Sequence, residues 1–177
     1  MEKRQKNKST EKEGRELPFP VFIRLNGKRV LIVGAGKVAQ RRVCALLPFG
    51  VHITVVAPEV SEILQRYEKE GKIEIKRKRF TEQELGEQPF AVLAATDEKE
   101  LNRNIALLCR KRGIFVNNAS DASMCDFYFP ALAKGEGIVA GVCGDGNDHR
   151  KVAQTAEKIR RCLEREDESN VFKTQRF

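Results

Sequence analysis

Val30-Leu31-Ile32-Val33-Gly34-Ala35-Gly36-Lys37-Val38-Ala39 decides the fold of this chain. A short apolar run feeds a Gly-x-Gly-x-x-Ala turn, and an amphipathic helix pattern follows at once. Gly34 lets the chain turn tightly after a strand. Gly36, with no side chain, lets backbone approach a pyrophosphate. Small Ala39 lets the new helix pack close to the strand. The helix N-terminus offers free N–H groups to the anion. A lone motif of this kind is weak. Placed after a strand and at the head of a helix, it favours nucleotide binding over a glycine turn that serves packing alone.

Outward from this turn the chain alternates. Strands are expected at Lys28–Val33, Val51–Val56, Lys72–Lys76, Phe90–Thr96 and Ile114–Asn118. Helices are expected between them. Lys37–Leu47 carries Ala39, Val43, Leu46 and Leu47 on one face. Ser61–Lys69 stops at Gly71, Thr81–Leu85 is short, and Glu98–Arg112 turns Leu101, Ile105 and Leu108 inward. Alternating strands and helices predict an α/β, Rossmann-like parallel sheet with helices on both faces. The nearly continuous apolar strands fit burial on both sides. After Asn118 the pattern changes. Phe127–Ala133 and Ile138–Cys143 read as two strands joined by the hairpin signal Lys134-Gly135-Glu136-Gly137, and a helix follows from His149 to Glu164. Upstream, an apolar extended segment runs from Leu17 to Leu25, closed by an Asn26-Gly27 turn. The domain reading is a disordered leader at 1–16, the nucleotide-binding domain at 17–118, a hairpin-plus-helix region at 119–165 and a polar tail at 166–177.

The 177 residues are 41% hydrophobic and 33% charged, with a net charge of +8. No apolar run approaches the roughly 20 residues that a membrane helix needs. Met1–Glu16 lacks the apolar centre of a signal peptide, so a cytoplasmic protein without a membrane partner is expected. The positive charge suits an acidic partner: nucleic acid, an anionic membrane, or a polycarboxylate or phosphate substrate. Lys76-Arg77-Lys78-Arg79 is the densest basic cluster. Without an aromatic platform it reads as a solvated strand end and not as a nucleic-acid surface. Cys44, Cys109, Cys125, Cys143 and Cys162 are scattered and form no metal spacing with His52 and His149, so no metal site is expected. Most of the thiols are expected to be reduced and to serve as small core residues.

In a parallel sheet of this kind the carboxyl ends of the strands line the ligand crevice. Ala94-Ala95-Thr96-Asp97 closes the fourth strand, where small residues and the Thr96 hydroxyl suit contact with a cofactor. Thr96 or Asp97 could equally serve as the cap of the helix that begins at Glu98. Asn117-Asn118-Ala119-Ser120-Asp121 ends the fifth strand at the same edge. Asp121 is a candidate acid or base with Asn117 or Ser120 as orienters, although the residues by themselves favour a turn aspartate. No ribose-binding acid sits at the end of the second strand. The nearest is Glu59, and no Arg stands there for a 2′-phosphate, which favours NAD over NADP.

Phe19-Pro20-Val21-Phe22, Val30–Arg42, Thr54–Glu59, Ala94–Asp97 with Leu101-Asn102, Phe115-Val116-Asn117 and Cys125–Pro130 together resemble the precorrin-2 dehydrogenase family, which includes the N-terminal module of bifunctional siroheme synthases. Order and spacing agree from residue 18 to about 164. The resemblance implies NAD-dependent oxidation of precorrin-2, a carboxylate-rich tetrapyrrole, to sirohydrochlorin, and in some members insertion of Fe²⁺ as a second substrate. It implies that Lys37, Val38, Pro58 and Glu59 lie along the dinucleotide, and that the chain forms a homodimer through the region after the fifth strand. There are departures. Where the family has an aspartate implicated in both chemistries, this chain has Ser120, with Asp121 one place later. Gly144-Asp145-Gly146 replaces a Ser-Ser-Gly segment. Many relatives also continue into a helical C-terminal region.

The expected arrangement sets the pyrophosphate on Gly34, Ala35, Gly36 and Lys37, and the nicotinamide toward Thr96 and Asn117. Ser120 and Asp121 form the catalytic end, with Asp121 as base. Rival readings are a dehydrogenase of another small acid, an NAD-sensing or ligand-holding protein without turnover, and a chelatase or carrier.

Overall fold

The computed structural model describes residues 17–146 and 148–171. The sequence expectations for 1–16 and for the end of the tail lie outside the described residues. Two compact units are present, and the parallel-sheet unit is Val21–Tyr128.

That unit contains β1 (Arg29–Val33), α1 (Lys37–Leu46), β2 (His52–Val56), α2 (Glu62–Lys69), β3 (Glu74–Lys76), β4 (Ala91–Ala94), α3 (Lys99–Lys111) and β5 (Phe115–Asn118). Short 3₁₀ turns lie at Leu47–Phe49, Glu82–Leu85 and Ala122–Met124. The strand order is β3-β2-β1-β4-β5, all parallel. β1 is therefore central. The chain first winds to one side of it, through β2 and β3, and then crosses to β4 and β5 on the other. The switch point falls between β1 and β4, where open α/β sheets form their crevice.

Both sheet faces are buried, because Val30, Leu31, Ile32 and Val33 are all out of water. On one face Leu31, Val33, Val56, Val92, Ala94 and Val116 pack with Leu85, Ile105, Ala106 and Cys109. Each fully buried aliphatic side chain of this kind contributes about 1.5–3 kcal/mol. The inward stripe of α3 differs from the expected Leu101–Ile105–Leu108. It is Asn102, Ile105, Ala106 and Cys109, and the two leucines are partly buried on its flank. The thiols also differ from expectation. Cys109 alone is buried, its thiol pushed up to about 12 by loss of water, while Cys44, Cys143 and Cys162 are exposed and Cys125 is half-buried. Leu17–Leu25 forms no regular element, and Leu17, Phe19, Val21 and Phe22 are exposed.

The basic cluster after β3 is answered within the unit. Arg77 makes a two-pronged bond to Glu68 at 2.8 and 2.6 Å. Lys76 and Lys78 converge on Glu84 at 3.2 and 2.5 Å, and Arg79 lies 3.9 Å from Glu98. The Glu84 side chain is only 3% exposed. Lys78 first, and Lys76 after it, hold its carboxyl below the ordinary range. A depressed folded value means that this stabilisation is complete above the unfolded carboxyl value of about 4.3. It is lost as the pH falls through the lower folded value. Glu84→Gln should cost about 1–3 kcal/mol at neutral pH. It should also remove part of the acid-induced loss of stability below about pH 4. Urea melts of both proteins across that range check this; equal acid slopes would exclude Glu84 as a source.

The second unit contains β6 (Ala131–Gly135), β7 (Ile138–Val142) and α4 (His149–Val171). β6 and β7 form an antiparallel hairpin closed by Glu136-Gly137, both at positive φ (50° and 73°), the geometry that matches strand twist in two-residue turns. β6 starts at Ala131, later than the expected Phe127. Asp126 N–H and Phe127 C=O are pinned to Val116 and Asn117 in the middle of β5, and Pro130 has no N–H for a ladder. β7 ends one residue earlier than expected, at Val142. α4 buries Ala156 and Leu163 and runs past the expected Glu164 to Val171. It lies tight on the hairpin, since a Cβ at Gly135 would stand 2.8 Å from Leu163 Cβ.

Candidate active site

The strand ends align. Val33 stands opposite both Val56 and Ala94, and Ala94 opposite Asn118. Every loop that carries a sequence-derived site residue therefore leaves the sheet at one edge: Gly34–Val38 after β1, Pro58-Glu59 after β2, Thr96 after β4, Ser120-Asp121 after β5. Asn117 is the penultimate residue of β5. Hydrogen bonds extend the ladder past the strands, from Gly34 N–H to Val56 C=O, Ala95 N–H to Val33 C=O and Ala119 N–H to Ala94 C=O, all 2.8–2.9 Å.

The two glycines of the turn do different jobs. Gly34 has φ +104°, and a Cβ there would lie 2.4 Å from Ala95 O and 2.9 Å from Thr96 N. It lets β1 and β4 close up at the switch point. Gly36 has an ordinary φ of −74°, and a Cβ there would meet nothing within 4 Å. The space beside its backbone is open. Gly36 caps α1 with no side-chain bond, and no acidic residue lies in the first turn. Gln40 N–H is the donor that reaches back to Gly36 C=O, at 3.0 Å. The first turn itself therefore sets no carboxylate against an anion that approaches its N–H groups. Ala39 is fully buried, the close helix–strand packing its size permits. Ala35 and Val38 are half-buried, while Lys37, Pro58 and Glu59 are exposed.

At the other end of the edge the polar residues are tied together. Asn102 of α3 is fully buried. Its Oδ1 accepts from Thr96 N–H (3.0 Å) and Thr96 Oγ1–H (2.8 Å). Its Nδ2 donates to Thr96 C=O (2.9 Å) and to Ser120 Oγ (2.6 Å). Thr96 Oγ1 also accepts from Glu98 N–H at 3.2 Å, which makes Thr96, and not Asp97, the turn residue before α3. Asn117 is buried, and its amide donates to Phe127 C=O at 2.9 Å. Cys125 Sγ accepts from Asn118 N–H at 3.1 Å and closes the 118–125 loop on itself. Asp121 Oδ1 accepts from Ser123 N–H (2.9 Å) and Ser123 Oγ–H (2.7 Å), capping the 3₁₀ turn. The Ser123 hydroxyl first, then its N–H, hold the exposed carboxyl below the ordinary aspartate range. Asp121 is therefore ionised at neutral pH, and both of these bonds fall on Oδ1.

The sequence reading did not assign a role to Asn102. Its signal was present: Asn102, Ile105, Ala106 and Cys109 follow i, i+3, i+4, i+7, so the asparagine heads an apolar stripe and must be buried. Among the described residues no group of three His, Cys, Asp or Glu is placed to hold a metal ion, and no helix is long and apolar enough to cross a membrane.

Comparison with known proteins adds four likenesses. The NAD_binding_7 family model, described as "Putative NAD(P)-binding", matches residues 21–131. "Probable multifunctional siroheme biosynthesis protein HemA" of Ruminiclostridium josui is 40% identical over 144 residues, which is 81% of this chain and 28% of that protein. "Siroheme synthase" of Nitrosococcus oceani is 34% identical over 128 residues, covering 72% of this chain and 27% of that protein. This chain thus spans less than a third of the length of these curated relatives. Among solved structures, "SirC, precorrin-2 dehydrogenase" superposes with a TM-score of 0.69 at 31% identity, over 80% of this chain and 69% of that one.

Proposed function

We propose, from the premise that this chain belongs to the precorrin-2 dehydrogenase family of NAD(P)-binding proteins, that it oxidises precorrin-2 to sirohydrochlorin with NAD⁺, a step toward siroheme. The observation that carries this reading is the single aligned sheet edge, where a phosphate-type glycine turn after β1 and a polar loop after β5 emerge on either side of β4.

The residues fit a dinucleotide. Open space beside Gly36 and the uncapped first turn of α1 suit the pyrophosphate along Gly34, Ala35, Gly36, Lys37 and Val38. Pro58 and Glu59 follow β2, where a ribose lies in such folds. Arg77 and Lys78, the cations after the neighbouring β3, are spent on Glu68 and Glu84 and are poor hosts for a 2′-phosphate, which supports NAD over NADP. When bound, the nicotinamide supplies the hydride acceptor. The Thr96 segment and Asn117 would border it. Asp121 Oδ2 receives the proton released from the substrate. Ser120 orients the substrate, and the chain's excess of Lys and Arg attracts its carboxylates. A homodimer built through residues 119–165, a cytoplasmic setting that keeps all five thiols reduced, and insertion of Fe²⁺ as substrate complete the reading. The commitment of Asp121 to its cap favours one rival, a protein that holds NAD and tetrapyrrole without turnover.

Supplying precorrin-2 and NAD⁺ separates the two. Dehydrogenation produces NADH absorbance and the sirohydrochlorin spectrum in equal amounts. Binding of both ligands with neither signal would leave the holding role.

A further inference from the structure

We propose that Asn102 is a positioning residue that fixes the Ser120 hydroxyl as a hydrogen-bond donor aimed at an acidic oxygen of the substrate, while holding the Thr96 backbone at the cofactor side. The inference rests on the dehydrogenase reading for the identity of that substrate.

The orientation of the Asn102 amide is fixed by one residue. Thr96 N–H can only donate, so the atom 3.0 Å from it is the amide oxygen. Thr96 C=O can only accept, so the atom 2.9 Å from it is the amide nitrogen. A flipped amide would face both groups wrongly. The second Nδ2 proton then has one partner, Ser120 Oγ at 2.6 Å. That bond occupies a lone pair of the hydroxyl and leaves its own proton to point elsewhere. No acceptor for that proton is present among the described residues, and Ser120 is exposed. Its backbone is also held, with its N–H on Asn118 Oδ1 at 2.9 Å. Ser120 therefore enters the site as a donor, next to Asp121, an ionised acceptor. Such a pair suits a ligand that offers a carboxylate to one and a proton to the other. Because Asn102 is fully buried, water cannot replace its bonds. A change at this amide reaches Thr96 and Ser120 together.

Asn102→Asp tests this. The carboxylate keeps the bonds from Thr96 N–H and Oγ1–H. It loses the donation to Thr96 C=O, and it accepts the Ser120 proton, turning the hydroxyl away from the ligand. The KM for precorrin-2 should rise at least tenfold in Asn102→Asp and in Ser120→Ala. It should rise no further in the double variant, and Ser120→Thr should stay within threefold of wild type. NAD⁺ affinity should fall in Asn102→Asp and stay within twofold in Ser120→Ala. Multiplying effects in the double variant, or equal KM values for Ser120→Ala and Ser120→Thr, would overturn the proposal. If Asn102→Asp does not fold, the alanine–threonine comparison decides alone. If the wild type shows no turnover, the dehydrogenase reading fails. The same variants titrated with sirohydrochlorin then decide: tenfold weaker binding in Ser120→Ala supports the donor role, and unchanged or absent wild-type binding sinks it.

Discussion

Gly34→Ala is expected to destabilise the parallel-sheet unit severely, whereas Gly36→Ala leaves it folded and weakens dinucleotide binding. At Gly34 two costs add. The φ of +104° is poorly accessible to an L-residue, about 1–3 kcal/mol. The new methyl would also stand 2.4 Å from Ala95 O and 2.7 Å from Ala95 C. These are backbone atoms, and Ala95 N–H is itself bonded to Val33 C=O, so they cannot swing aside. Separating β1 from β4 adds roughly another 1–3 kcal/mol, typical of an overpacked core. Against a domain stability of about 5–15 kcal/mol, the melting temperature should fall by roughly 10 °C or more. At Gly36 the backbone is ordinary and the methyl meets nothing, so the cost is that of exchanging a helix cap, within about 1 kcal/mol. The methyl does enter the space beside the α1 N-terminus, so NAD⁺ affinity should drop tenfold or more. Thermal melts and NAD⁺ titrations of both variants check this. A stable Gly34→Ala protein, or unchanged affinity in Gly36→Ala, would mean that the two glycines have been assigned the wrong jobs.

That contrast also marks how far residue patterns reach. The motif pointed to a turn at Gly34 and to open space at Gly36, and the alternation of apolar runs pointed to a parallel sheet. Both are local properties, written in the order of neighbouring residues. The strand order is less local: it is set by pairing between strands distant in the chain, and the alternation of apolar runs leaves it open. Patterns failed where a long-range bond overrides them. Phe127–Pro130 has strand composition, but bonds from Asp126 and Phe127 to β5 withdraw its start from the hairpin. On α3 the i, i+3, i+4, i+7 spacing places Asn102 inward, but what makes a buried amide tolerable there is its four bonds with Thr96 and Ser120. No periodicity encodes a partner 18 residues away. The catalytic end was hard to read for the same reason. The carboxylate of Asp121 is at once a cap and a candidate base, and sequence alone favours the turn role without excluding the other.

Asp121→Asn separates them. An asparagine can still accept from Ser123 N–H and Ser123 Oγ–H through Oδ1, so the 3₁₀ turn and the loop that carries Ser120 should stay in place. What it loses is the negative charge and a site for a proton. If Asp121 takes the substrate proton, Asp121→Asn should lower turnover by about 10²–10⁴-fold, the usual contribution of a positioned base. NAD⁺ affinity and melting temperature should stay near wild type. Asp121→Ala should lose as much turnover and also some stability, because the cap goes with the charge. The pH dependence sharpens the test. The Ser123 bonds hold the carboxyl below its usual value of about 3.9. Wild-type turnover should therefore show no acid limb from this group between about pH 5 and 7. The stability given by the Ser123 bonds is present above the unfolded value and is lost as the pH falls through the depressed folded one. Asp121→Asn should lack that loss. Full turnover in Asp121→Asn would restrict Asp121 to its cap and move the search for the proton acceptor to the bound substrate's own carboxylates.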